Sequence, residues 1–255
     1  MNMLGLRLCA RLARGLLGLA LLGNVAAAPV LQLVSTEYPP YCGSELPEQG
    51  VFTALTRAAF KAAGFETRVV FRPWARVLAE ARAGQHDAVL AVWYQAEREQ
   101  YMVYSDPLWV NRIGFYARAG ETHPVHQLSA LKGLRIGIVR GYANPPEFEA
   151  ADLGGEAAVD DLTNLRKLQA GRLDLVLIEQ ALAAHLLKTQ LREADGQLVW
   201  LEPALASPPL YVTLTRGKPQ YRKHLAAFNR GLAEIRRNGE YARIVQRLLG
   251  PLAAP

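Results

Sequence analysis

The chain has 255 residues, 20% of them charged and 51% hydrophobic, with a formal net charge of +6. Three of the positive charges, Arg7, Arg11 and Arg14, lie in the first 27 residues, and elsewhere Lys and Arg are mixed with Asp and Glu. With no basic run the chain lacks the footprint of a nucleic-acid binder, and no stretch approaches the ~20 apolar residues of a membrane-crossing helix.

Residues 1–27 have the form of a secretory signal. Arginines precede the apolar GLLGLALLG, small residues follow in VAAA, and no acid occurs before Glu37. The apolar run is too short for a membrane anchor. Cleavage is expected after Ala27, which leaves about 228 residues near +3, exported to the periplasm and soluble. That length suits two lobes of roughly 100 residues each. Cys9 leaves with the signal, so Cys42 has no disulfide partner and is expected to be a buried, inert thiol.

Strand and helix signals then alternate. VLQLV (30–34) reads as a strand, and Phe52, Leu55, Ala59 and Ala63 recur at helical spacing before Gly64. TRVVF (67–71) is a second strand. Pro73 opens a helix through Trp74, Val77 and Leu78 that Gly84 closes, and DAVLAV (87–92) is a third strand. Runs apolar on both faces fit a sheet covered by helices on both sides.

After Asp106-Pro107 the rhythm restarts with the strand LRIGIV (134–139). Asn144-Pro-Pro-Glu147 has the form of a capped helix start. A helix follows Asp161, LDLVLI (173–178) is a strand, and Gln180 to Thr189 is helical. AGQHDAVL (83–90) is echoed by AGRLDLVL (170–177), and VLQLVSTEYPP by RIGIVRGYANPP, in the same order. Two lobes of similar construction follow. PPLYVTLTRG (208–217) reads as a returning strand, and the last helices pack their apolar stripe on the first lobe and turn their arginines to solvent. The expected division is residues 28–112 and 212–255 for lobe 1 and 113–211 for lobe 2, joined by two hinge crossings.

In open α/β sheets ligands bind beyond the carboxyl ends of the strands. That rule places Tyr38 and Tyr41 of STEYPPYCG, Trp93 and Tyr94, Tyr142, and Glu179 on the crevice, with Trp74 at the head of its helix. Aromatic walls with a few polar groups make a small-molecule site. Arg98 offers a planar fork for a carboxylate, and Glu179 on the other lobe an acceptor for an ammonium.

The order of the YPPY loop, GQHDAVLAVW, Arg98, YSDPLW, GLRIGIVRG and GRLDLVLIEQ resembles family 3 of the bacterial periplasmic solute-binding proteins, across nearly all of the mature chain. The resemblance implies a two-lobed α/β fold of the type II periplasmic binding class. It implies a receptor that captures a small polar solute, an amino acid or related zwitterion, for an ABC importer. It also implies that Arg98 grips the carboxylate and Glu179 the amine. Gln95 stands where the family often has Thr, Glu179 is one methylene longer than the usual Asp, and Tyr142 fills a turn often rich in Ser and Thr. The expected partners are the solute and an inner-membrane permease; the protein is expected to be a monomer without cofactor or metal. His123 and His126 have no third ligand nearby to make a zinc site. Two other readings stay open: an enzyme on this scaffold resembling cyclohexadienyl dehydratase, with Glu179 or Glu37 as acid or base, and the soluble partner of a membrane sensor.

Overall fold

The computed structural model describes residues 28–250, so the expected signal segment lies outside the described residues. Strand β1 (Val30–Ser35), helix α1 (Val51–Ala62), β2 (Glu66–Phe71), α2 (Trp74–Arg82) and β3 (Ala88–Trp93) form the first βαβαβ run. Short strands β4 (Met102–Tyr104) and β5 (Trp109–Val110) follow. The chain then crosses over to β6 (Ile113–Arg118), β7 (Ile136–Val139), α3 (Pro146–Ala150), β8 (Glu156–Ala158), α4 (Asp161–Gln169), β9 (Leu175–Glu179), α5 (Gln180–Gln190) and β10 (Leu198–Ala206). It returns through β11 (Pro209–Thr215) and ends in α6 (Tyr221–Arg237) and α7 (Glu240–Leu249).

The two sheets have matching orders. The first runs β2-β1-β3-β11-β4, with β5 on β11, and the second runs β8-β7-β9-β6-β10. In each the three leading strands are parallel and the next is antiparallel. The sequence echo has a structural counterpart. Asp87 and Asp174 follow Gly84 and Gly171, which end α2 and α4 in left-handed conformations. Each aspartate then accepts a backbone N–H at 2.8 Å, Asp87 from Gln32 and Asp174 from Arg135, and so pins the start of its strand to a neighbour.

Each sheet is covered on both faces. Phe52, Leu55 and Phe60 of α1 meet Phe228, Leu232 and Ile235 of α6 on one side of the first sheet. Val77, Leu78 and Ala81 of α2 pack on Val34 and Val89 on the other. In the second sheet Leu165 and Leu182 cover one face, and Leu131 and Phe148 the other. The crossings are short, residues 111–112 outward and 207–208 back, and Asn111 N–H donates to the Pro208 carbonyl at 3.0 Å to hold them side by side; β11 lies wholly in the first sheet, so the first lobe resumes at 209 and not at the expected 212. Among the described residues no helix is long and apolar enough to cross a membrane.

One local expectation is corrected. The helix after Tyr142 starts at Pro146 with Pro145 as its cap, not Asn144, whose side chain donates instead to Glu149 Oε1 at 2.7 Å. β4, β6, β8 and β10 have no counterpart among the strands read from the sequence; the half-exposed pattern of β10 and its Pro203 give no alternation to read.

Candidate functional site

The loop after β1 closes on itself. Tyr38 N–H donates to the Cys42 carbonyl (2.8 Å), and the Tyr38 carbonyl accepts from Tyr41 and Cys42 N–H (both 2.9 Å). The first N–H groups of α1 need no side-chain cap, because Val51 and Phe52 donate to the Pro40 and Tyr41 carbonyls. Gly50, at φ 93, permits this approach; a Cβ there would collide with the Tyr41 carbonyl. Both tyrosines are thereby buried, with ring centroids 5.4 Å apart, but they face different partners.

Tyr38 faces the cleft. Its ring stands edge-on to Trp93, centroids 6.1 Å apart. Trp93 ends β3 two residues after Ala91, whose φ of 58 lies in the left-handed region that an alanine adopts only under strain. The register with β11 shifts opposite this point, between Tyr211 and Thr213. This is a bulge of the kind that re-aims side chains at the end of a strand. The Trp93 indole N–H donates to Asn111 Oδ1 at 2.7 Å. Tyr94, the next residue, is turned outward and half exposed against Tyr104, so it is not part of the site.

Arg98 sits in a short helical turn, Ala96–Gln100, and is only 3% exposed. Its guanidinium donates to the Trp93 carbonyl and, across the cleft, to the Gly141 carbonyl, both at 2.9 Å. It also lies over the Trp74 ring, 5.4 Å from the centroid. Burial lowers its pKa, with Tyr104 and Tyr101 opposing. None of the ion pairs among the described residues includes Arg98.

Lobe two meets this surface with Gly141 and Tyr142. Gly141 has φ 79, which turns its carbonyl into the first lobe, where it accepts a second bond from Trp74 Nε1 at 2.9 Å. The Tyr142 ring stands edge-on to Trp93 and Trp74, centroids 5.3 and 6.2 Å away. Its hydroxyl donates to Asp161 Oδ2 at 2.9 Å. Burial raises the Asp161 carboxyl to about 7, an effect that the Tyr142 hydroxyl opposes.

These groups line a small, partly open pocket of about 20 Å³, formed by Thr36, Tyr38, Trp74, Ala91, Trp93, Arg98, Tyr142 and Ala143. A single water needs roughly 10–15 Å³, so the cleft in this conformation has room for little more than one water and is shut to a solute. Five of the six expected site residues, Tyr38, Trp74, Trp93, Arg98 and Tyr142, line it together. Glu179 does not. It is 2% exposed and caps α5, with Oε2 accepting from Leu182 N–H at 2.7 Å and Oε1 from the Tyr41 hydroxyl at 3.0 Å. Burial raises its pKa. The Tyr41–Glu179 bond ties lobe one to lobe two beside the hinge. Asn111 and Asp161, both buried and both bonded to site aromatics, were not singled out from the sequence.

Residues 32–251 match the family described as bacterial extracellular solute-binding proteins, family 3. The chain belongs to this family. Among curated relatives, this family 3 protein is 23% identical over 219 residues to the L-cystine-binding protein TcyJ of Escherichia coli (strain K12), covering 84% of this chain and 79% of that one. A histidine kinase sensor domain with similarity to periplasmic binding proteins superposes with a TM-score of 0.76 at 20% identity, covering 88% of this chain and 97% of that one. An ancestral arginine-binding protein bound to arginine gives 0.74 at 19%, covering 88% and 100%. These structural likenesses establish the two-lobed fold.

Proposed function

We propose that this protein is the periplasmic receptor that captures a carboxylate-bearing solute, an amino acid or a related compound, between its lobes for an inner-membrane ABC importer. One observation carries the reading: Arg98 is a buried guanidinium at the lobe interface with neutral partners only. A buried charge without a counter-charge is costly, and a planar fork facing a cavity suits a carboxylate. The similarity to a cystine-binding protein and to an arginine-binding protein supports an amino-acid-type solute.

In this reading residues 1–27 are removed on export, and the lobe built on the first sheet, residues 28–110 with 209–250, moves as one body against 113–206. Opening breaks three contacts between the lobes: Trp74 and Arg98 on the Gly141 carbonyl, and Tyr41 on Glu179. A solute that bonds Arg98 and the second lobe at once selects the closed form. Tyr38, Trp74, Trp93 and Tyr142 supply the walls, and Glu179 holds the hinge side through Tyr41.

Binding is favoured over catalysis because the carboxyls suited to acid–base work are kept from the cavity. Glu179 stands behind the Tyr41 hydroxyl and Asp161 behind that of Tyr142, and Glu37 accepts from the Ser44 hydroxyl at 2.7 Å.

A thermal-shift screen of amino acids and small carboxylates tests the reading. A solute at 100 times its dissociation constant adds about 2.7 kcal/mol, which raises the melting temperature by a few degrees. A shift in wild type that Arg98→Ala abolishes is the expected result. Silence across the twenty amino acids and the carboxylates would reject the reading.

A further inference from the structure

The shut cleft is filled by a piece of the protein that has the chemistry of a ligand. Gly141 presents a carbonyl oxygen to Arg98 and Trp74, with both N–H···O distances 2.9 Å. The adjoining Tyr142 presents a ring to Trp93 and Trp74, edge-on to each. An oxygen acceptor and an aromatic ring, a few bonds apart, thus occupy the polar and the apolar half of one binding surface on lobe one. Of the residues lining the cavity, Arg98 alone is charged, and no carboxylate lines it to receive an ammonium. The two buried carboxyls nearby are engaged elsewhere, Glu179 with Leu182 and Tyr41 and Asp161 with Tyr142.

We propose that the solute is an aromatic carboxylate whose carboxylate and ring take the places held here by the Gly141 carbonyl and the Tyr142 ring, with any amino group contributing little to affinity. This rests on the receptor reading above and narrows its solute. The exchange favours such a solute on physical grounds. A carboxylate turns the Arg98 bond to a neutral carbonyl into an ion pair and the neutral Trp74 bond into a charge-assisted one, and a ring replaces a ring against the same tryptophans. An aliphatic side chain leaves those faces poorly filled, and an amine without a carboxylate meets a guanidinium of like charge.

Calorimetric titration of the purified protein with four compounds separates the contributions. L-phenylalanine carries ring, carboxylate and amine; 3-phenylpropanoate lacks the amine; 2-phenylethylamine lacks the carboxylate; L-leucine lacks the ring. The expected result is that the first two bind within about fivefold of each other and the last two at least about tenfold more weakly. Trp93→Leu weakens the aromatic carboxylates by about tenfold, whereas Trp93→Phe, which keeps a ring and guards against loss of folding, weakens them less. L-leucine binding as tightly as L-phenylalanine would overturn the ring assignment. A tenfold loss with 3-phenylpropanoate would show that the ammonium is an anchor. Either outcome, or tight binding of some aliphatic amino acid alone, leaves the receptor reading standing and removes this inference. Absence of binding by all four compounds and all twenty amino acids removes both.

Discussion

Replacing Arg98 by Ala removes the only charge that lines the cavity. The side chain makes two hydrogen bonds here, to Trp93 and Gly141, and lies on the face of Trp74. With a bound carboxylate, one or both N–H groups facing the cleft make charge-assisted bonds, each contributing about 1.5–3 kcal/mol. Losing roughly 3 kcal/mol raises Kd by about two powers of ten. Folding should suffer much less. The two bonds lost in the shut form contribute about 1.5–3 kcal/mol each because their donor is charged, but removal of a desolvated charge that no carboxylate pairs offsets most of that. Gly141 also keeps its bond from Trp74. Calorimetric titration measures the affinity, and circular dichroism with a thermal melt checks the fold. Arg98→Lys keeps a charge without the fork and should fall between. An Arg98→Ala protein with an unchanged melting temperature and a Kd within about threefold of wild type would show that no solute carboxylate rests on Arg98, since a loss of ~0.6 kcal/mol is too small for a buried ionic contact.

Asp161 makes stability depend on pH. Its folded pKa is raised to about 7 from the model-compound value of 3.8, chiefly by burial, so the folded state holds a proton that the unfolded chain releases. The stabilisation is complete below pH ~4 and is lost as pH rises toward 7, a change on the order of a few kcal/mol. Subtracting the melting curve of Asp161→Asn from that of wild type between pH 4 and 8 should reveal that slope; a flat difference contradicts it. Tyr41→Phe leaves Glu179 Oε1 without its hydroxyl donor and should destabilise by about 1–3 kcal/mol in a denaturant melt, with no effect expected if the Tyr41–Glu179 tie is not formed in solution. A methyl group on Gly231 of α6 would run into the Ala59 carbonyl of α1, so Gly231→Ala should lower stability by at least about 1–3 kcal/mol, measured the same way. Cys42 is fully buried and its thiol is pushed up to about 11 by burial. It should resist thiol reagents in the native protein and react once denatured, as peptide mass spectrometry would show.

Much of the architecture is legible because its causes are local. Apolar runs such as TRVVF and LDLVLI need helices on both faces, and Gly64, Gly84 and Gly171 end their helices at positive φ. The strand-end rule brings Tyr38, Trp93 and Tyr142 near one cavity for the same reason, and Arg98, five residues past Trp93, joins them there. What escaped depends on contacts distant in sequence. Asn111 is an unremarkable residue until Trp93 and Tyr38 bond to it from 18 and 73 positions away. Ala91 carries no mark of its left-handed φ, since glycine is the residue that usually announces one. Strand alternation separates Trp93 from Tyr94, and only the registered sheet shows which of them faces the cleft. Glu179 lies after its strand as expected, but Tyr41 and the first turn of α5 take both of its oxygens.

In the proposed mechanism a solute carboxylate displaces the Gly141 carbonyl from Arg98 between two closing lobes. A crystal structure of the protein grown with its tightest-binding amino acid or aromatic carboxylate tests it most directly. The expected density shows the carboxylate on the Arg98 guanidinium, the rest of the solute against Trp93 and Tyr38, and Gly141–Tyr142 moved outward. A solute bound away from Arg98, with the Arg98–Gly141 and Trp74–Gly141 hydrogen bonds intact, would contradict it.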